Sequence, residues 1–119
     1  MNTSTLTRLL PLRQRSVACC TEVREPRMTK PETSRLADRL KALGDPTRLG
    51  IMDLLVQQEE PLCVCDITPR FSRNQPTISH HLRLLREAGL IETEKQGIWS
   101  YYCVTDLGRR CLAAVPGLE

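Results

Sequence analysis

Between Asn74 and Leu90 the apolar positions recur at helical spacing: Ile78, Leu82 and Leu85 share one face, and Thr77, His80 and Arg83 project from roughly the opposite side. Asn74 is a good N-cap, Pro76 falls in the first turn where its missing N–H costs nothing, and Gly89 suits the left-handed position past the end. Upstream, Glu32 to Leu43 places Leu36, Leu40 and Leu43 on a common stripe, and Gly44 stops it. Asp45 caps the next helix, with Pro46 at its first position and Leu49, Met52, Leu55 and Val56 facing inward. Cys63 to Phe71 reads as a short helix, and Ser72-Arg73-Asn74 as a tight polar turn. After Leu90 the pattern becomes β-prone: Leu90 to Lys95 and Ile98 to Val104 flank a two-residue turn at Gln96-Gly97. Thr105 caps a last helix through Val115.

Two helices across a tight turn, followed at once by a hairpin, predict a mainly α fold with a small β-hairpin: a winged helix-turn-helix. The expected organisation is an N-terminal arm (1–31), a DNA-binding domain (32–115) and a short tail (116–119). Only four aromatic residues occur, Phe71, Trp99, Tyr101 and Tyr102, so stacking on single-stranded bases is a poor fit and a duplex groove a better one. The formal net charge is +3, but Arg8, Arg13 and Arg15 carry it: beyond Thr21 the 14 acidic residues cancel the remaining 14 of the 17 basic ones. DNA affinity must then come from a local patch, Arg73, Arg83, Arg86 and Lys95, doubled in a dimer. The expected DNA-contacting set is Arg73, Gln75, Thr77, Ser79, His80, Arg83 and Lys95. No apolar run approaches the roughly 20 residues a bilayer crossing needs, and Leu9-Leu10-Pro11-Leu12 is too short for a secretory core, so a cytoplasmic protein without membrane contact is expected.

Six cysteines need a reason in such a chain, which should not depend on disulfides. Cys19 and Cys20 are vicinal in the arm, Cys63 and Cys65 open the helix before the recognition helix, and Cys103 and Cys111 lie near the C-terminus. At a helix start the non-helical backbone can turn Cys63 and Cys65 toward one soft ion, although either residue also serves as a small core side chain. His80 and His81 are about 100° apart on a helix and do not share an ion easily; His80 faces DNA and His81 borders the core. Cys103 to Arg109 has the Cys-x5-Arg spacing of phosphatase loops, but Asp106 inside it would repel an anion, and the chain is not expected to be an enzyme.

Leu40-Lys41-Ala42-Leu43-Gly44-Asp45-Pro46-Thr47-Arg48-Leu49, Leu62-Cys63-Val64-Cys65-Asp66 and Gln75-Pro76-Thr77-Ile78-Ser79-His80-His81-Leu82 resemble the ArsR/SmtB family of metal-responsive repressors, and among them the arsenic-responsive members. The resemblance covers about Leu36 to Val104. It implies a homodimeric winged helix that occupies operator DNA, blocks a resistance operon and dissociates when a toxic ion binds. One common arsenic pattern has a third cysteine three residues after the second, where this chain has Thr68. As(III) and Sb(III) take three thiolates, so the resemblance implies a site between subunits: Cys19 and Cys20 from one chain with Cys63 or Cys65 from the other. Use of all four sulfurs would instead suit Cd(II) or Pb(II). A thiol redox sensor on the same fold is a third reading. Cys103 and Cys111 are expected to pack, with a reserve site at the last helix as the alternative.

Overall fold

A computed structural model describes residues 22–117. Helix α1 (Lys30–Leu43) starts two residues ahead of the predicted Glu32 because Thr29 and Glu32 close a reciprocal capping box. The Glu32 amide donates to Thr29 Oγ1 at 3.3 Å and the Thr29 amide to Glu32 Oε2 at 2.8 Å. Helix α2 (Pro46–Val56) is capped as expected, with the Arg48 amide donating to Asp45 Oδ2 at 3.0 Å. Next come strand β1 (Leu62–Cys63), helix α3 (Val64–Ile67) and a 3-10 turn (Thr68–Arg70). Helix α4 (Gln75–Glu87) has the Thr77 amide on Asn74 Oδ1 at 2.9 Å and Gly89 beyond its end at φ 77°.

Strands β2 (Ile91–Gln96) and β3 (Trp99–Val104) form the wing, and helix α5 (Asp106–Ala113) ends the fold. Thr105 Oγ1 accepts from the Gly108 amide at 3.0 Å and donates to the Gly89 carbonyl at 2.7 Å, so one side chain caps α5 and ties it to the turn after α4. Helix α5 stops two residues short of the predicted Val115, because the residue before a proline, here Pro116, disfavours helical backbone.

Two further details depart from the sequence expectation. The hairpin pairs Gln96 with Trp99, so the apex is Gly97-Ile98 rather than Gln96-Gly97. Gly97 has φ 64°, and with glycine at the first central position the loop follows the II′ pattern, which suits strand twist. The stretch predicted as one helix from Cys63 divides: Leu62 and Cys63 pair with Tyr102 and Tyr101 as an outer strand, giving an antiparallel sheet of order β1-β3-β2. Backbone hydrogen bonds from β3 claim Cys63 before the helix can.

The core gathers Ile51 and Met52 of α2, Ile67 of α3, Ile78, Leu82 and Leu85 of α4, and Leu90 and Ile91 at the entry to the wing, all essentially inaccessible to water. Ile51 is central, while Leu49 and Val56, expected to face inward, are half-buried. Of the α1 stripe only Leu43 is buried; Leu36 and Leu40 stay 41% and 70% exposed. Among the described residues no helix is long and apolar enough to cross a membrane.

Candidate nucleic-acid interface and thiol cluster

The fold displays α4 on its surface with Ile78, Leu82 and Leu85 pressed into the core, so the opposite face has to meet solvent or a partner. Gln75, Ser79, His80 and Arg83 are exposed there and Thr77 is half-buried. Arg83 Nη2 donates to His80 Nδ1 at 3.0 Å, and Arg83 Nε stands 4.0 Å from Glu87 one turn on. These contacts extend the two side chains along the helix surface as one polar edge with donors to spare. Arg73 is exposed in the turn that enters α4, and Lys95 is exposed on β2, opposite Ser100 and one residue from the apex. Helix, preceding turn and wing thus carry the residues expected to meet a duplex: five on α4 and one on each flank.

At the apex, Ile98 is 91% exposed and Trp99 52% exposed, an apolar tip on an otherwise polar hairpin. The signal was present in the sequence, since Ile98 follows the turn glycine where no core can reach it.

His81 does not join the reading edge. Its Nδ1 accepts from Arg48 Nη1 at 3.1 Å across the junction of α2 and α4. Burial holds its pKa below the ordinary histidine value, and the neighbouring Arg48, His80 and Arg73 charges act in the same direction against Asp45. Arg48 was visible in sequence only as part of a motif; its partner lies 33 residues away.

Cys63 is buried and Cys65 exposed, and their sulfurs with an Asp66 carboxylate oxygen lie within 4.8 Å of one another. The extended backbone at Cys63 (φ −82°, ψ 165°), followed by the helical Val64, points both cysteines the same way. Asp66 Oδ2 accepts the Cys63 amide at 3.1 Å, which fixes the first turn. The two sulfurs are joined in a disulfide, with Cα atoms 5.3 Å apart, in place of the separate thiols that a chain without disulfides would hold. The convergence that would suit an ion also suits the bond. Cys19 and Cys20 lie outside the described residues.

Cys103 and Cys111 are free and half-buried. Cys111 packs against the core. Cys103 Sγ donates to Glu92 Oε1 at 3.5 Å, and burial, reinforced by the Glu92 contact and the Glu92 and Glu94 charges, raises its pKa and keeps it a thiol. The Cys103 to Arg109 spacing is spread over the end of β3 and the first turn of α5, where the Gly108 amide is already bonded to Thr105.

A helix-turn-helix whose second helix is exposed along one edge, followed directly by a wing, defines the winged helix-turn-helix class. The profile described as bacterial regulatory protein, arsR family, matches residues 45–93. The chain is 44% identical over 79 residues to the arsenical resistance operon repressor of Bacillus subtilis, a match covering 66% of this chain and 74% of that protein. It is 53% identical over 62 residues to the arsenical resistance operon repressor of Escherichia coli, covering 52% of each. Its fold is similar to the homodimeric winged helix-turn-helix DNA-binding domain of a possible ArsR-family transcriptional regulator from Mycobacterium bovis, with a TM-score of 0.66 and 28% identity over 77% of this chain and 84% of that one. The chain belongs to the ArsR family of bacterial regulatory proteins.

Proposed function

We propose that this chain is a cytoplasmic, metalloid-responsive transcriptional repressor that binds operator DNA as a homodimer and dissociates on binding As(III) or Sb(III), derepressing an arsenical resistance operon. The observation that carries the reading is the convergence of the Cys63 and Cys65 sulfurs at the start of α3, the helix whose Ile67 shares the core with Ile78 of α4. A ligand that pulls on this dithiol acts one packing layer from the reading helix. The relatives named arsenical resistance operon repressor support the inducer class. The exposed Leu36 and Leu40 on α1, together with a homodimeric neighbour, support pairing of two chains.

The site requires the reduced form, in which two electrons and two protons from a thiol reductant open the Cys63–Cys65 bond. Cys63 or Cys65 is then free as a thiolate, and Cys19 and Cys20 of the other chain's arm supply the remaining two of the three that a pyramidal As(III) or Sb(III) takes. Release requires the ion to favour the DNA-free conformation, and a coupling of about 1–3 kcal/mol lowers operator affinity about 5- to 150-fold.

The disulfide itself favours a second reading, in which oxidation of Cys63 and Cys65 is the signal. Fluorescence anisotropy on promoter DNA separates the readings. Release by arsenite or antimonite under reducing conditions, with no response to peroxide alone, is the expected result. Preferential release by Cd(II) or Pb(II) would replace the three-thiolate site with a four-thiolate one, and release by peroxide alone would establish the redox sensor.

A further inference from the structure

The motif Gly44-Asp45-Pro46-Thr47-Arg48 and the second histidine of α4 have no part in the site above, yet they meet in space. Arg48 is the one described side chain that joins three elements through hydrogen bonds. Its Nε donates to the Ala42 carbonyl at 2.7 Å and its Nη2 to the Lys41 carbonyl at 3.5 Å, which also accepts the Gly44 amide at the end of α1. Its Nη1 donates to His81 Nδ1 at 3.1 Å, and its own amide is held by Asp45. The guanidinium always donates, so His81 accepts at Nδ1 as a neutral ring with its proton on Nε2. His81 adjoins His80 of the reading edge, their ring centroids 6.1 Å apart.

We infer that Arg48 and His81 form a tether that sets the position of the reading helix against the α1–α2 corner, and that protonation of His81 releases it, so that operator affinity falls in mildly acidic solution. This rests on the operator reading above. A proton on Nδ1 removes the acceptor and sets two cations against each other at hydrogen-bond distance. The charged groups around the ring are Asp45 at the cap of α2, Arg48 within it, His80 from α4 itself and Arg73 from the entering turn. Three of these four oppose a second positive charge, and the nearest of them is the tether. Once free, α4 keeps its apolar seat but loses the polar contact that fixes its rotation about that seat. Arg48 and His81 are positioning residues: neither is on the reading edge.

The test compares the full-length reduced protein and its His81→Gln variant on promoter DNA, by anisotropy from about pH 8 to about pH 5.5 at constant ionic strength. Glutamine can accept the Arg48 donor and does not titrate. Any charge gained by His80 acts in both proteins, so the readout is the ratio of the two affinities. That ratio is expected to change about tenfold across the range in favour of the variant, the size of one charge-assisted hydrogen bond; a constant ratio overturns the inference. A second arm needs no DNA. The His81 ring resonance, titrated by NMR, is expected to move its midpoint to higher pH in Arg48→Ala, and an unmoved midpoint overturns the tether. Wild-type protein that binds no promoter at any pH would overturn the operator reading instead, and the NMR arm would still decide the contact.

Discussion

Arg83 projects from the middle of α4 with a spare set of donors beyond His80 and Glu87, the disposition an arginine needs to reach a guanine edge. Arg83→Ala is expected to weaken specific operator binding about 10- to 100-fold, measured by anisotropy against specific and scrambled duplexes. Lys95→Ala, next to the wing tip, should weaken both duplexes alike and reduce the salt slope by about one. Cys63→Ser is expected to bind operator normally and to lose release by arsenite, an outcome readable in the same titration. That Gln75, Ser79, His80 and Arg83 lie exposed on α4 was legible because helix period and caps are local properties. The role of Arg48 was not: the 33 residues between it and His81 carry no pattern, and their meeting depends on the angle at which α2 crosses α4.

At the scale of elements, caps placed the starts of the helices at Pro46, Gln75 and Asp106, whereas α1 starts two residues before the expected Glu32 at the unrecognised cap Thr29, and α5 ends two residues before the expected Val115. Strand β1 escaped notice because two residues have no periodicity; only the unpaired edge of β3 makes them a strand. Helix α5 shows how closely an element can be pressed into place. A Cβ on Gly108 would overlap the Leu90 carbonyl and meet Val104 Cγ1 at 2.8 Å and Met52 Cε at 3.0 Å. The obstacle is backbone on one side, so it cannot turn away. Gly108→Ala is therefore expected to destabilise the fold by about 3 kcal/mol in chemical denaturation, even though alanine favours a helix.

For the whole molecule, stability and charge combine. His81 is held below its ordinary pKa in the fold, so the unfolded chain binds more protons between the two values. Its contribution is full above about pH 6.5 and is lost as pH falls through the folded value. Asp45, lowered chiefly by the Arg48 amide, adds a loss of the same sign below about pH 3.9. Cys103, raised by burial, has the opposite sign: its contribution is full below about pH 8.5 and is lost as pH rises. The thermal midpoint is expected to fall between about pH 7.5 and pH 5.5 in the wild type and to fall less in His81→Gln, as followed by circular dichroism. Pairing of chains belongs to this scale as well. Leu36 and Leu40 remain exposed on a helix of otherwise polar surface, and on the homodimer reading Leu40→Asp should shift the protein to monomer in analytical ultracentrifugation.

The sequence by itself determined the order and type of the major elements, the helix with an exposed polar edge and the placing of the wing. Each of these follows from short-range chemistry: a capping side chain, a turn glycine, a repeat of 3.6 or 2. Tertiary structure alone decided which apolar stripe became core, since Ile51 is enclosed while Leu36 and Leu40 of an equally regular pattern are left outside. It also decided that Cys63 belongs to a strand before it caps a helix, and that a motif arginine bonds a histidine two α-helices further along the chain. Such outcomes depend on the angles at which elements meet, and those angles are set by the packing of all of them together.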